Sequence, residues 1–278
     1  MTGGTQPLRE QRFVFGEVAQ TYDLQRPSYP AQFIDSVLAF AGLGPDSVAP
    51  VAEIGAGTGK ASVALASRGL CLTCIEPSAP MAEVARRNLA QFHNAEVEQV
   101  SFEDWQPVAH TYGLLVAAQS WHWVSPEMRY VKAHHALRPH GTLALIWNTT
   151  VARGDERLER DLSVAYGDLI PEAWLLDRTQ RLQANNWVIT EIEASGLFER
   201  APVARLMEPW HCTYETEGWL QLLSTHSEHR MLDEDTQARL FDRIRAAVDA
   251  NGGLIEVDYV TVGYLARTED RPGREDGA

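Results

Sequence analysis

Three glycines alternate in the run Val51-Ala52-Glu53-Ile54-Gly55-Ala56-Gly57-Thr58-Gly59-Lys60. Glycine lets a backbone turn tightly and approach a ligand closely. A helix opening just after the run adds free N–H groups and the positive end of its dipole. The spacing is G-x-G-x-G. The dinucleotide fingerprint G-x-G-x-x-G would need its third glycine at position 60, where Lys60 stands. Glu53, two residues before the first glycine, repels a pyrophosphate but tolerates a cationic amino-acid ligand, directly or through water. The plain alternative is a turn without a ligand, but three alternating glycines cost backbone entropy with no evident packing benefit.

Glu76 lies 21 residues after Gly55, near the offset of about 20 at which such folds place a ribose-binding acid. A carboxylate accepts two hydrogen bonds from a cis diol. Pro77 and Ser78 follow, with Ser78 a suitable N-cap. Met81 packs either on a purine face or in the core. In Ser120-Trp121-His122-Trp123, His122 sits just past a parallel strand, where open α/β sheets bind ligands. It reads as a general base or as a packed, substrate-contacting histidine. Trp121 and Trp123 wall an acceptor or face a cation, with one of them in the core. Tyr22, Arg26 and Tyr29 form another cluster, in which Arg26 suits a carboxylate partner; the alternative is a helix that only packs.

The elements that must position these residues alternate. Strands are expected at Val48–Ile54, Leu70–Ile75, Val97–Phe102, Gly113–Ala118 and Thr142–Trp147. Helices are expected at Pro30–Phe40, Lys60–Ser67, Ala79–Gln91 and Pro126–Leu137. Such alternation implies a mostly parallel sheet covered on both faces. Beyond Asn148 the pattern turns helical over 153–183, Asn185–Ser195, 215–226 and 233–250. A sixth strand is expected at Phe198–Trp210, bent at Pro209, and a seventh at Leu254–Ala266. Residues 1–30 read as an N-terminal segment, 31–150 as the ligand-binding core and 151–266 as a C-terminal half with helical insertions. Residues 267–278 read as a disordered tail.

The net charge is −14, from 24 Lys plus Arg against 38 Asp plus Glu, which disfavours a nucleic-acid partner. Three cysteines suit a reducing cytoplasm. No signal peptide or membrane span is read, so a cytoplasmic location without a membrane partner is expected. Cys71 and Cys74 read as buried strand fillers rather than a redox or metal pair. His226 and His229 stand at i, i+3 without an obvious third ligand, so no metal is expected. No G-x-S-x-G elbow is present. Oligomeric state and acceptor identity are not readable.

Taken together and in order, AEIGAGTGK at 52–60, IEPSAPM at 75–81, SFEDW at 101–105, AAQSWHWV at 117–124 and ALRPHGTLALIWN at 136–148 resemble the class I S-adenosylmethionine-dependent methyltransferases, of the group acting on small molecules. FGEVAQTYDLQRPSYP at 15–30 resembles that group's N-terminal lid. The resemblance implies a Rossmann-like seven-stranded α/β sheet with its last strand antiparallel. It implies S-adenosyl-L-methionine as cofactor and methyl transfer to an O or N atom of a small molecule. Gly55, Ala56, Gly57, Thr58 and Gly59 would wrap the methionine part, with Glu53 near its amino group and Tyr22 and Arg26 over it. Glu76, with Pro77 beside it, would hold the ribose hydroxyls. Met81, Ser101, Phe102 and Glu103 would surround the adenine. Ser101 stands where many members carry an Asp. Gln119 and Ser120 would lie by the sulfonium, with Tyr29, Trp121 and Trp123 toward the substrate and His122 as base. The competing readings are a nicotinamide-dependent oxidoreductase, opposed by Lys60, and a cofactor-binding scaffold without catalysis.

Overall fold

Apolar β-rich runs alternate with amphipathic helices over the first half of the chain, and a parallel sheet follows from that pattern. A computed structural model describes residues 19–44, 46–167, 169–170, 183 and 185–269. The expected features at 1–18, 171–182 and 270–278 lie outside the described residues.

The helices are α1 (Ala19–Gln25), α2 (Ala31–Ala41), α3 (Lys60–Ala66), α4 (Ala79–Leu89), α5 (Arg129–Ala136), α6 (Glu156–Tyr166), α7 (Trp187–Ser195), α8 (Thr216–Ser224), α9 (Ser227–Arg230) and α10 (Glu234–Ala250). The strands are β1 (Val51–Ile54), β2 (Leu72–Ile75), β3 (Ala95–Glu98), β4 (Tyr112–Ala118), β5 (Leu137–Arg153), β6 (Ala204–Glu215) and β7 (Leu254–Arg267). They form one seven-stranded sheet in the order β3-β2-β1-β4-β5-β7-β6. β1 pairs parallel with β2 and β4, β2 with β3, and β4 with β5. The last strand is antiparallel, which completes the expected Rossmann-like fold. Among the described residues no helix is long and apolar enough to cross a membrane.

The chain divides into two compact units. Among the described residues, the larger holds those within 29–147, 186–207 and 262–269; the smaller holds those within 19–28, 148–185 and 208–261. The core of the larger unit gathers Phe33, Ile34 and Val37 of α2, Leu65 of α3, and Val51, Leu72 and Leu114 of the central strands. The smaller unit has its own core of Leu158, Leu162, Trp219, Leu223, Leu240, Ile244 and Ile255. β5, β6 and β7 contribute residues to both units.

Several expected boundaries move. β3 ends at Glu98, not Phe102, because Ser101 enters a turn with Asp104. β5 runs on to Arg153, past the apolar segment that marked it. β6 covers Ala204–Glu215 rather than Phe198–Trp210 and passes through Pro209. A proline is tolerated there because β6 is the sheet's edge strand. The start of the expected tail is ordered: Arg267 ends β7, and Thr268 is buried and bridges Phe198. Cys74 is buried as expected, but Cys71 precedes β2 and is exposed.

Candidate active site

β1 and β2 end level with each other, Ile54 opposite Ile75, because they pair in parallel register. The chain leaves β1 into a turn whose Gly55 and Ala56 N–H groups both donate to the Ile75 carbonyl, at 2.8 and 3.0 Å. Gly55, Gly57 and Gly59 have φ of +67°, +58° and +87°, the left-handed region that other L-residues enter only at a cost. Gly55 also needs its missing side chain, since a Cβ there would lie 2.5 Å from Ser120 Cβ. Ser120 cannot easily retreat, because its Oγ donates to the Ile54 carbonyl. Over Gly57 no described residue comes within 4 Å of an added Cβ.

The turn delivers Gly57 N–H to Glu76, whose Oε2 accepts it at 2.8 Å. Glu76 Oε1 accepts the Ser78 N–H, also at 2.8 Å. Both oxygens are therefore oriented by backbone. Pro77 is half-buried, and Met81 packs fully buried on α4. Thr58 Oγ1, inside the same turn, is buried without a hydrogen-bond partner among the described residues.

Glu53 does not face a ligand as a free carboxylate. It is 1% exposed, and its Oε2 accepts from Ser62 Oγ of α3 at 2.5 Å. Ser62 Oγ in turn accepts from Cys74 Sγ of β2 at 3.2 Å. Burial pushes the Glu53 carboxyl up to about 8, the Ser62 bond opposes that shift, and the Glu76 charge adds to it. Protonated, Glu53 ties β1 to α3 and so holds the two ends of the glycine turn.

After β3, Ser101 donates to Asp104 Oδ2 at 2.7 Å and accepts the Asp104 N–H at 3.1 Å. Its hydroxyl proton is thus engaged, and Asp104 brings a carboxylate to the place where Ser101 lacks one. Phe102 is buried against Trp105 and Trp121 at 5.9 and 6.1 Å between ring centroids. Glu103 works on the protein itself: its Oε1 accepts the Ser125 N–H at 3.1 Å, and its carbonyl accepts Lys132 Nζ at 2.8 Å.

β4 ends in backbone strain. Gln119 has φ +60° and donates its N–H to the Ile146 carbonyl at 2.8 Å; such left-handed non-glycine residues cluster at functional sites. A single 3-10 turn, Trp121–Trp123, follows. Trp121 is fully buried, as expected of one member of the pair. Trp123 is half-buried, and its ring centroid lies 4.6 Å from that of His122. His122 reaches solvent although protein crowds around it, with the Trp147 ring centroid at 6.5 Å. The crowding, and then the positive charge of Arg129, push its pKa down to about 4. His122 is therefore neutral at pH 7.

Arg129 was not legible as a functional residue. It is buried, donates to the Trp121 carbonyl at 3.2 Å and to the Val124 carbonyl at 3.5 Å, and pairs with Glu191 of α7. Its guanidinium also lies over the rings of Trp187, Tyr130 and Trp121, at 4.8, 5.4 and 5.9 Å. It fixes the turn that presents His122.

Tyr29 is half-buried and packs on the larger unit's core. Tyr22 and Arg26 belong to the smaller unit. There Arg26 donates to Thr225 Oγ1 at 2.8 Å and to the Thr225 carbonyl at 2.9 Å, with its guanidinium 5.1 Å from the Tyr22 ring. Within the protein its partners are thus a hydroxyl and a carbonyl.

The family of methyltransferase domains matches residues 51–141. An uncharacterized methyltransferase of Mycobacterium tuberculosis is 34% identical over 152 residues, 54% of this chain and 56% of that protein. The match thus spans little more than half of such relatives' own length. Among solved structures, a candidate type II methyltransferase from Anaeromyxobacter dehalogenans superposes with a TM-score of 0.60 at 17% identity, covering 88% of this chain and 99% of its own. A Haemonchus contortus phosphoethanolamine N-methyltransferase 2, bound to phosphomonomethylethanolamine and S-adenosylhomocysteine, gives 0.51 at 12% identity, covering 92% of this chain and 58% of that one. At these identities the superpositions speak for the fold alone. Residues 51–141 thus match the methyltransferase-domain family, and the chain is similar to methyltransferases over about half of its length.

Proposed function

We propose that this protein transfers a methyl group from S-adenosyl-L-methionine to an O or N atom of a small organic molecule. One observation carries the reading: the Glu76 carboxylate sits on the Gly57 N–H of the glycine turn, with both oxygens oriented by backbone. A sugar diol and an amino-acid tail, joined as in this cofactor, suit a carboxylate and a left-handed glycine turn placed side by side. The space over Gly57, which no described residue enters, and the orphaned Thr58 Oγ1 fit a ligand at the same place. Glu76 would hold the ribose, and the turn from Gly55 to Gly59 the methionine part. The bound sulfonium supplies a methyl group and a good leaving group.

The protein's own work is then alignment and proton handling. Gln119 and Ser120, fixed by the Ile146 and Ile54 carbonyls, form the floor at the end of β4. His122, neutral at pH 7, accepts the proton that a hydroxyl or amine acceptor loses. Its depressed pKa makes it a modest base that stays in the basic form throughout the neutral range. Trp123 and Trp147 line its surroundings with aromatic faces.

Incubation of the protein with labelled cofactor and a panel of hydroxyl, carboxylate and amine acceptors, read by mass spectrometry, tests this. A methylated product is expected, with a rate flat from about pH 6 to 8. His122→Ala should slow transfer about 100-fold while leaving S-adenosylhomocysteine affinity unchanged. Full activity in that variant removes the base; no labelled product across the panel, with the cofactor bound, favours the scaffold reading.

A further inference from the structure

The smaller unit contains a cluster that methyl transfer does not use. His226, the residue before α9, and Glu228 and His229 within it each bring a ligand-type atom to within 4.8 Å of the others. The sequence shows two histidines at i, i+3; folding supplies Glu228 as the third member.

His229 is 4% exposed. Its Nε2 meets Tyr166 Oη at 3.2 Å, and its Nδ1 is buried with no hydrogen-bond partner among the described residues. A buried, unsatisfied imidazole nitrogen costs about 1–3 kcal/mol, so it asks for an occupant. His226 Nδ1 stands 3.4 Å from Glu228 Oε1. That is long for a hydrogen bond, but two ligands at about 2.0–2.1 Å from one tetrahedral ion stand about 3.3–3.4 Å apart. The Tyr166 hydroxyl receives the second imidazole nitrogen, the arrangement that fixes the tautomer of a metal-bound histidine. Glu228 supplies negative charge and, with its side chain 41% exposed, a path from solvent. Two guanidinium groups in the neighbourhood are engaged elsewhere: Arg26 with Thr225, and Arg153 with Glu159 at 3.0 Å.

We propose that His226, Glu228 and His229 bind one divalent transition-metal ion of the zinc class. Two imidazoles and one carboxylate form a nitrogen–oxygen set that suits zinc or a neighbouring first-row ion, and three protein ligands leave the fourth position to water. The ion pins α9 to α6 through Tyr166, all within the smaller unit. This is independent of the methyl-transfer reading.

The test uses untagged full-length protein, stripped with chelator and dialysed. Elemental analysis after Zn2+ loading should find one ion per chain, and Co2+ titration should develop visible bands of a four-coordinate site. Glu228→Ala and His229→Ala should each weaken Zn2+ binding by at least about 100-fold, and Tyr166→Phe by about 10-fold. His211→Ala, at an exposed histidine outside the cluster, should bind as wild type. Circular dichroism checks folding. If His229→Ala unfolds, Glu228→Ala decides, because the Glu228 side chain is more exposed than that of His229. Wild-type protein that takes up no stoichiometric ion overturns the proposal. So does binding that survives loss of Glu228 in folded protein.

Discussion

The glycine turn and the histidine cluster do chemistry by opposite means. The turn is made of backbone: three left-handed glycines, N–H groups on Ile75 and Glu76, and carboxylate oxygens held by two amides. Most of its parts lie between residues 51 and 78, joined by Asn88, which donates to the Thr58 carbonyl, and by Ser120. The cluster is made of side chains, and Tyr166 stands 63 residues from the His229 it touches. Backbone geometry leaves a short-range trace, because only glycine tolerates those dihedrals and the partnering acid follows one βα unit later. Side-chain clusters leave none until tertiary packing assembles them.

That contrast breaks most sharply at Gly55. Gly55→Ala forces a left-handed alanine, costing about 1–2 kcal/mol, and drives a Cβ into Ser120, where overpacking costs about 1–3 kcal/mol more. Urea unfolding should show a loss of about 2–5 kcal/mol, and S-adenosylhomocysteine binding should disappear. Gly57→Ala meets no described residue within 4 Å, so only the dihedral strain of about 1–2 kcal/mol remains. Equal damage at both glycines would mean that contact with Ser120 is not what singles out Gly55.

A smaller effect sharpens the role of Glu53. Its carboxyl is raised from 4.5 to about 8 in the fold. Between those pH values the folded chain holds a proton that the unfolded chain has released. Stability from this group is therefore full below about pH 4.5 and is lost as pH rises through about 8. Glu53→Gln keeps an acceptor for Ser62 and cannot ionise, so it should gain roughly 1–3 kcal/mol over wild type at pH 8 and nothing at pH 4. Thermal melts at both values check this, and parallel pH curves for the two proteins would show that Glu53 ionises normally.

Most of the sheet was legible from alternation, and β1, β2, β4, α3 and α4 fall within a few residues of where the sequence puts them. The misses have local physical causes. Ser101 traded its strand position for a hydrogen-bonded turn with Asp104. β6 tolerates Pro209 because an edge strand needs fewer ladder bonds. At the site, the glycines and Glu76 were legible from spacing, whereas the inward turn of Glu53 toward Ser62 and Cys74 was not, since period-2 alternation gives a face but no partner. Trp121 and Trp123 looked equivalent in sequence and differ only in which way a single 3-10 turn points them. Arg129 was hidden for the same reason: a lone arginine on a helix announces neither its burial nor the carbonyls it holds.

The most direct test is calorimetric titration of S-adenosylhomocysteine into wild-type protein, Glu76→Gln and Glu76→Ala, with melting curves confirming that each is folded. Saturable one-to-one binding to wild type is expected, weakened by at least about 10-fold in the glutamine variant and about 100-fold in the alanine variant, as loss of one and then both charge-assisted bonds requires. Wild-type protein that ignores the ligand, or an alanine variant that binds it equally well, would contradict the assignment of Glu76 and the glycine turn as the cofactor's seat.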